Sequence, residues 1–198
     1  MKRKLLSALL ATAMTMTVVA GTGIAVSADG EAVVSTVMFS DPDTMDPGRA
    51  DDDQKNSIVL ECQETLVRLI DGKLTNAGAE SYETSDDGLV WTFHLRDNKY
   101  SDGTPVVAED YVNSIRRVFD PEVNCHNAGI FYCIAGGEAF NTGSGAKEDV
   151  GAKAIDDKTL EITLTEPIPY FAQLLTFANI TPVPESKTEG ENNSSYGA

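Results

Sequence analysis

Cysteine and histidine are scarce in this sequence, with three and two among 198 residues. Three cysteines cannot build a disulfide framework, so the fold must rest on an ordinary apolar core. Imidazole chemistry is confined to His94 and His126. Basic side chains are the next shortage: 15 Lys and Arg face 31 Asp and Glu, a formal charge of -16. That balance offers no footprint for nucleic acid or anionic lipid. What remains is ordinary. A chain with 41% hydrophobic residues, 16 Gly and 8 Pro has the make-up of a globular protein, neither disordered nor fibrous.

The first 28 residues differ from the rest. Lys2, Arg3 and Lys4 give a basic start, Leu5 to Val26 is uncharged, and Val26-Ser27-Ala28 places small residues before an acidic change at Asp29. This is the layout of a secretory signal peptide, with cleavage expected after Ala28. An uncleaved membrane anchor is the competing reading, since a 22-residue uncharged run can span a bilayer; its Thr and Gly content weakens it. No cysteine precedes Cys62, so a lipid-modified N-terminal cysteine is unsupported. Removing the leader leaves 12 basic against 31 acidic side chains, a net charge of -19. An exported, soluble protein is expected.

Beyond the leader, no repeat of solenoid length and no second apolar run appear. Val33 to Phe39 is rich in β-formers and stops at Asp41-Pro42-Asp43. Ile58, Val59, Cys62, Leu66 and Leu69 recur at three- and four-residue spacing, which predicts a helix over 56–68 ended by Asp71-Gly72. Trp91, Phe93 and Leu95 alternate with Thr92 and His94, a strand with one apolar face. The turn Ser101-Asp102-Gly103-Thr104-Pro105 leads into a helix with the stripe Ala108, Tyr111, Val112, Ile115, Val118. Glu109 and Asp110 sit in its first turn and Arg116 and Arg117 in its last, as the helix dipole favours. A short helix is expected around 134–140, a second half-buried strand at Leu160, Ile162 and Leu164, and a helix from Pro169 to Ala178. The polar tail from Glu185 to Ala198 reads as mobile.

Catalytic patterns are missing. Cys125, His126 and Cys133 could supply three zinc ligands, but the spacing is unfamiliar, and a Cys125–Cys133 disulfide is an equal alternative. Asp51-Asp52-Asp53 lacks the ligand spacing of a calcium loop. Gly143-Ser144-Gly145-Ala146-Lys147 lacks the ending of a phosphate loop, and Glu148 and Asp149 would repel phosphate. No Gly-x-Ser-x-Gly elbow occurs, and acidic pairs are too common to mark a glycosidase dyad. The residues describe an exported mixed α/β (α+β) binding module without visible catalytic apparatus or an implied cofactor.

One stretch is more specific. Ser85-Asp86-Asp87-Gly88-Leu89-Val90-Trp91-Thr92-Phe93-His94-Leu95-Arg96, then Tyr100-Ser101-Asp102-Gly103-Thr104-Pro105-Val106 and Ala108-Glu109-Asp110-Tyr111-Val112, closely resembles the signature of the extracellular solute-binding protein family 5. Met45-Asp46-Pro47, Ala154-Ile155-Asp156-Asp157 to Glu161, and Pro169-Tyr170-Phe171 through Pro182-Val183-Pro184 agree with it, so the likeness runs over about 33–184. The resemblance implies a non-enzymatic, monomeric receptor with a two-lobed, type II-like periplasmic binding protein fold, which captures peptides or other small solutes and delivers them to the membrane subunits of an ABC permease. Nickel, haem or sugar-derived ligands are alternatives within the class, and a secreted sensor or adhesion module is the alternative outside it. On this pattern, residues 29–64 begin the large N-terminal lobe, 65–184 form a small inserted domain, and 185–198 are a truncated tail. The second lobe is absent, so a fragment is expected. The resemblance carries two contact positions: Asp51, at the place of an acid that helps hold the peptide amino terminus, and the loop after Asp120-Pro121, where His126 or Asn127 stands near a family tyrosine.

Overall fold

The computed structural model describes residues 24–26, 32–34, 42 and 44–188. Contacts divide the chain into 1–41 and 42–198. In the first unit β1 (Ile24–Val26) and β2 (Ala32–Val34) pair antiparallel, with Ala25 opposite Val33. The rest of the expected leader, the β-rich run from Ser35 to Phe39, and the tail from Glu189 onward lie outside the described residues.

The second unit begins with a 3-10 turn, Pro47–Arg49, and helix α1 (Asp53–Cys62). Asp52 caps α1: its carboxylate accepts from the backbone N–H groups of Gln54 and Lys55, both at 2.9 Å. The predicted helix over 56–68 is therefore displaced and cut short. The chain straightens at Gln63, and Val67–Ile70 (β3) pairs antiparallel with Lys73–Asn76 (β4). Asp71 and Gly72 have φ of 51° and 73°, the doubly left-handed geometry that matches the twist of a two-residue hairpin. Asp-Gly was thus a hairpin signal, and the aliphatic run before it a strand.

Strands β5 (Ala79–Thr84), β6 (Val90–Leu95), β7 (Ala152–Asp156) and β8 (Thr159–Thr163) form an antiparallel sheet in the order β5-β6-β8-β7. The alternation read for β6 is realised, with Trp91, Phe93 and Leu95 all buried. Register sets Trp91 opposite Ile162 and Phe93 opposite Leu160, so one face of the two central strands is continuous apolar surface. Tyr82 on β5 stacks at 5.8 Å from Trp91, and Phe171 lies tilted against the indole at 5.5 Å. Each of these large side chains contributes about 1.5–3 kcal/mol on burial.

Helix α2 (Ala108–Phe119) packs against β7 and β8 through its predicted stripe, in which Ala108, Val112, Ile115 and Val118 are wholly buried and Tyr111 nearly so. The Asp110 carboxylate accepts from the Val107 N–H at 3.0 Å and satisfies a donor at the helix start. Asp102-Gly103 forms the expected turn, with Asp102 accepting from the Thr104 N–H at 2.9 Å and Gly103 at φ 86°. The polar side of α2 is buried too. Asn113 donates to the Val183 carbonyl at 2.7 Å, and Ser114 to the Thr181 carbonyl at 2.6 Å, strapping 181–183 along the helix. Helix α3 covers Gly137–Asn141, starting three residues later and ending one later than the short helix expected around 134–140. The helix expected from Pro169 is reduced to one turn, α4 (Phe171–Leu174), followed by a 3-10 turn at Ala178–Ile180. Phe177 is extended at ψ 139°, which ends the α conformation and lets the chain turn back along α2. Glu185–Lys187 is a further 3-10 turn, where the sequence led us to expect a mobile tail.

Candidate functional site

The loop between Thr44 and α1 is built around a buried carboxylate. Asp46 is 2% exposed; its Oδ1 accepts from the Gly48 N–H at 3.0 Å, and its Oδ2 meets the Arg117 guanidinium at 2.6 Å. Arg117 is itself buried, so the end of α2 holds the loop through a charge-assisted bond. Val59 of α1, Ala50 and Ala178 close a small apolar cluster beneath the loop.

Asp51 stands just beyond this clamp. It is exposed, and its carboxylate lies 2.8 Å from the Lys55 ammonium. The Lys55 head is shared, at 3.5 Å, with Asp52. Hydrogen bonds from the Lys55 and Gln54 backbone N–H groups, aided by the Lys55 charge, hold the Asp52 carboxyl below the usual range.

His126 is exposed and Asn127 half-buried in the loop after Asp120-Pro121. The Asn127 Nδ2 donates to Asn179 Oδ1 at 2.9 Å. Asn179, 1% exposed, in turn donates to the Pro47 carbonyl at 2.7 Å and the Ala50 carbonyl at 3.2 Å. Asp51 and the 126–127 pair, 75 positions apart in sequence, thus belong to two loops joined by one buried amide. Nothing in the spacing of these residues signalled Asn179. The one available hint was an amide inside the apolar run Phe177-Ala178-Asn179-Ile180.

The three cysteines are free thiols, and among the described residues no group of three metal-ligating side chains converges. Burial, reinforced by the nearby Asp46 and Asp51 carboxylates, pushes the Cys125 thiol up. Burial raises the Cys133 thiol as well. In the metal-free fold both thiols thus favour the protonated form.

Elsewhere a cleft of about 720 Å³ opens between the end of α1, the loop 98–106 and the segment 182–187. Glu61, Gln63, Tyr100, Asp102 and Lys187 line it. Asp51, His126 and Asn127 do not. The Glu64 carboxylate, at the cleft edge, is paired with Arg96.

The described residues form a four-stranded antiparallel sheet packed by one helix, with two surface loops clamped beside it. Comparison gives the chain's family. Residues 73–197 match the family described as bacterial extracellular solute-binding proteins, family 5 Middle, and the chain belongs to that family. It is 36% identical over 162 residues to the oligopeptide-binding protein OppA of Bacillus subtilis, covering 81% of this chain and 30% of that protein. Against the periplasmic oligopeptide-binding protein OppA of Escherichia coli it is 41% identical over 154 residues, covering 76% and 28%. Among solved structures, OppA of Listeria monocytogenes bound to peptide superposes with a TM-score of 0.73 at 37% identity, over 76% of this chain and 31% of that one. The unliganded open form of the murein tripeptide-binding protein MppA gives 0.74 at 30% identity, over 78% and 31%. The chain therefore has the periplasmic binding protein fold over most of its own length, and it spans about three tenths of the relatives it matches. No helix among the described residues is long and apolar enough to cross a membrane.

Proposed function

We propose that this chain supplies one side of the peptide site of an oligopeptide receptor serving an ABC import system. The observation that carries the reading is the juxtaposition of the Asp46–Asp51 loop with the Cys125–Asn127 loop through Asn179, in a scaffold whose relatives bear the name oligopeptide-binding. Asp51 offers a carboxylate for a peptide amino terminus, and His126 and Asn127 offer polar contacts beside it. Residues 29–64 begin the large lobe and 65–184 make the small domain inserted in it; the first 28 residues direct export. The receptor acts as a monomer and delivers its peptide to permease subunits. A family receptor closes because its ligand contacts both lobes, and the closed state is stabilised by that differential contact. The second set of contacts comes from the length that the relatives have and the matched region does not.

The test is a hybrid in which this chain's residues 42–188 replace the matching segment of the Bacillus subtilis relative, titrated with alanine tripeptide by calorimetry. A folded hybrid that binds the tripeptide, and loses about tenfold or more in affinity on Asp51→Asn, as removal of a charged partner requires, bears the reading out. A folded hybrid that binds no peptide overturns it.

A further inference from the structure

We propose that Asn179 is the positioning residue that makes the Pro47–Asp51 loop and the Cys125–Asn127 loop move as one recognition surface. The proposal rests on the peptide-site reading above for its functional meaning, but not for its test.

The chemistry of the amide carries the inference. A primary amide has two N–H donors and one carbonyl, and all three are used here. Its Nδ2 donates to the carbonyls of Pro47 and Ala50, and its Oδ1 accepts from Asn127. The amide donates from one end and accepts at the other, whereas a carboxylate of the same length can only accept. The side chain is buried, so water cannot replace a lost partner. Its own backbone is held by the 3-10 turn Ala178–Ile180, which Thr181 closes with Oγ1 on the Ala178 carbonyl at 2.9 Å. The other end of the first loop is fixed independently by Asp46 on Arg117. Asn179 is therefore a direct polar link between the two loops, while Arg117 ties one of them to the helix. Contact between ligand and either loop is transmitted to the other through this side chain.

Hydrogen exchange on the full 198-residue chain reads this without any ligand. The reporters are the backbone N–H groups of Arg49 and Ala50, bonded to Asp46 and Pro47 at 3.0 and 3.2 Å, and that of Ala128, bonded to Cys125 at 3.2 Å. Asn179→Ala is expected to speed exchange at all three by about tenfold, the size of one or two lost buried hydrogen bonds, with β6 amides unchanged within about twofold. Asn179→Asp is the discriminating variant. Its carboxylate still accepts from Asn127 but cannot donate to Pro47 or Ala50, so Arg49 and Ala50 are released while Ala128 stays protected. A residue that merely stabilised the fold would release all amides together, β6 included, and that result overturns the proposal. So does an Asn179→Ala protein in which either loop is unaffected. Should both Asn179 variants fail to fold, Asn127→Ala decides: faster exchange at Ala50 by about threefold or more supports the link, and no change at Ala50 refutes it. Alanine tripeptide titrated into the Bacillus subtilis hybrid that carries residues 42–188 separates this claim from the peptide reading. If the folded hybrid binds no tripeptide while the exchange pattern of the 198-residue chain holds, the positioning role stands and the peptide reading fails.

Discussion

Replacing Arg117 by Met should be among the most damaging single changes available outside the apolar core. The guanidinium and the Asp46 carboxylate are 9% and 3% exposed as side chains and lie 2.6 Å apart. Their pairing spans 71 positions, from the first loop to the end of α2. Methionine keeps much of the stem's volume but leaves Asp46 as a buried carboxylate with the Gly48 N–H at 3.0 Å and an exposed Arg49 guanidinium at 4.0 Å. Stranding one member of a buried pair costs about 3–5 kcal/mol, a large part of the 5–15 kcal/mol typical of a domain. The double variant Asp46→Asn, Arg117→Met removes both charges and keeps an acceptor for Gly48, so it should recover much of the loss. Urea denaturation followed by far-UV circular dichroism measures all four proteins of the cycle. A single-variant cost below about 1 kcal/mol would place this bond among solvent-screened surface pairs and refute the claim that it clamps the loop.

Phe93→Ala opens a void in the centre of the sheet face, where Leu160 and Tyr82 are its cross-strand neighbours, and should cost about 3–5 kcal/mol by thermal or urea unfolding. Acid should weaken the fold through Asp52, Asp87, Asp102 and Asp156. Their carboxyls are held below the usual 3.8, chiefly by hydrogen bonds to backbone N–H groups or, for Asp87, to the Ser85 hydroxyl. Stability from a depressed carboxyl is present above its unfolded value and is lost as pH falls through the folded one, so the urea midpoint should drop on acidification below about pH 4. Asp110 works in the opposite sense, because burial raises its pKa against the Val107 N–H and the Tyr100 hydroxyl. Its neutral form is favoured in the fold, and that preference becomes a penalty as pH rises through the folded pKa. Asp110→Asn should therefore gain stability relative to the parent between about pH 3 and pH 7, and a loss over that range would contradict the sign. With a thiol reagent at neutral pH, exposed Cys62 should react at least about a hundredfold faster than buried Cys125, since Cys62 is accessible and burial both shields the Cys125 thiol and pushes its pKa up; equal rates would contradict the packed Cys125 thiol.

The parts of the fold that were legible in the sequence are those where burial falls on one face of a regular element. Trp91, Phe93 and Leu95 on β6, Leu160 and Ile162 on β8, and the stripe of α2 carry large apolar groups at the period of the element. The edge strands were not legible. Ala79–Thr84 and Ala152–Asp156 each place one small side chain fully in the core and leave most of the rest to solvent, so no alternation of large residues marks them. The β3–β4 hairpin was misread because Leu66 and Leu69 happen to fall at helical spacing from Cys62, while the twist-compatible Asp71-Gly72 pair, which settles the issue, also serves as a helix stop. At the candidate site, Asp51, His126 and Asn127 were named from the resemblance alone. The groups that hold them in place were not, because Asp46–Arg117 and Asn179 act across 52 to 132 positions, and polar bonds of that range leave no periodic trace.

The central proposal is that recognition is divided between the matched region and the length that its relatives carry beyond it. Calorimetric titration of the 198-residue chain by itself with a mixed pool of di- to hexapeptides tests it most directly. The account predicts no saturable binding at micromolar concentrations, and a tight, saturable isotherm from this chain alone would contradict it.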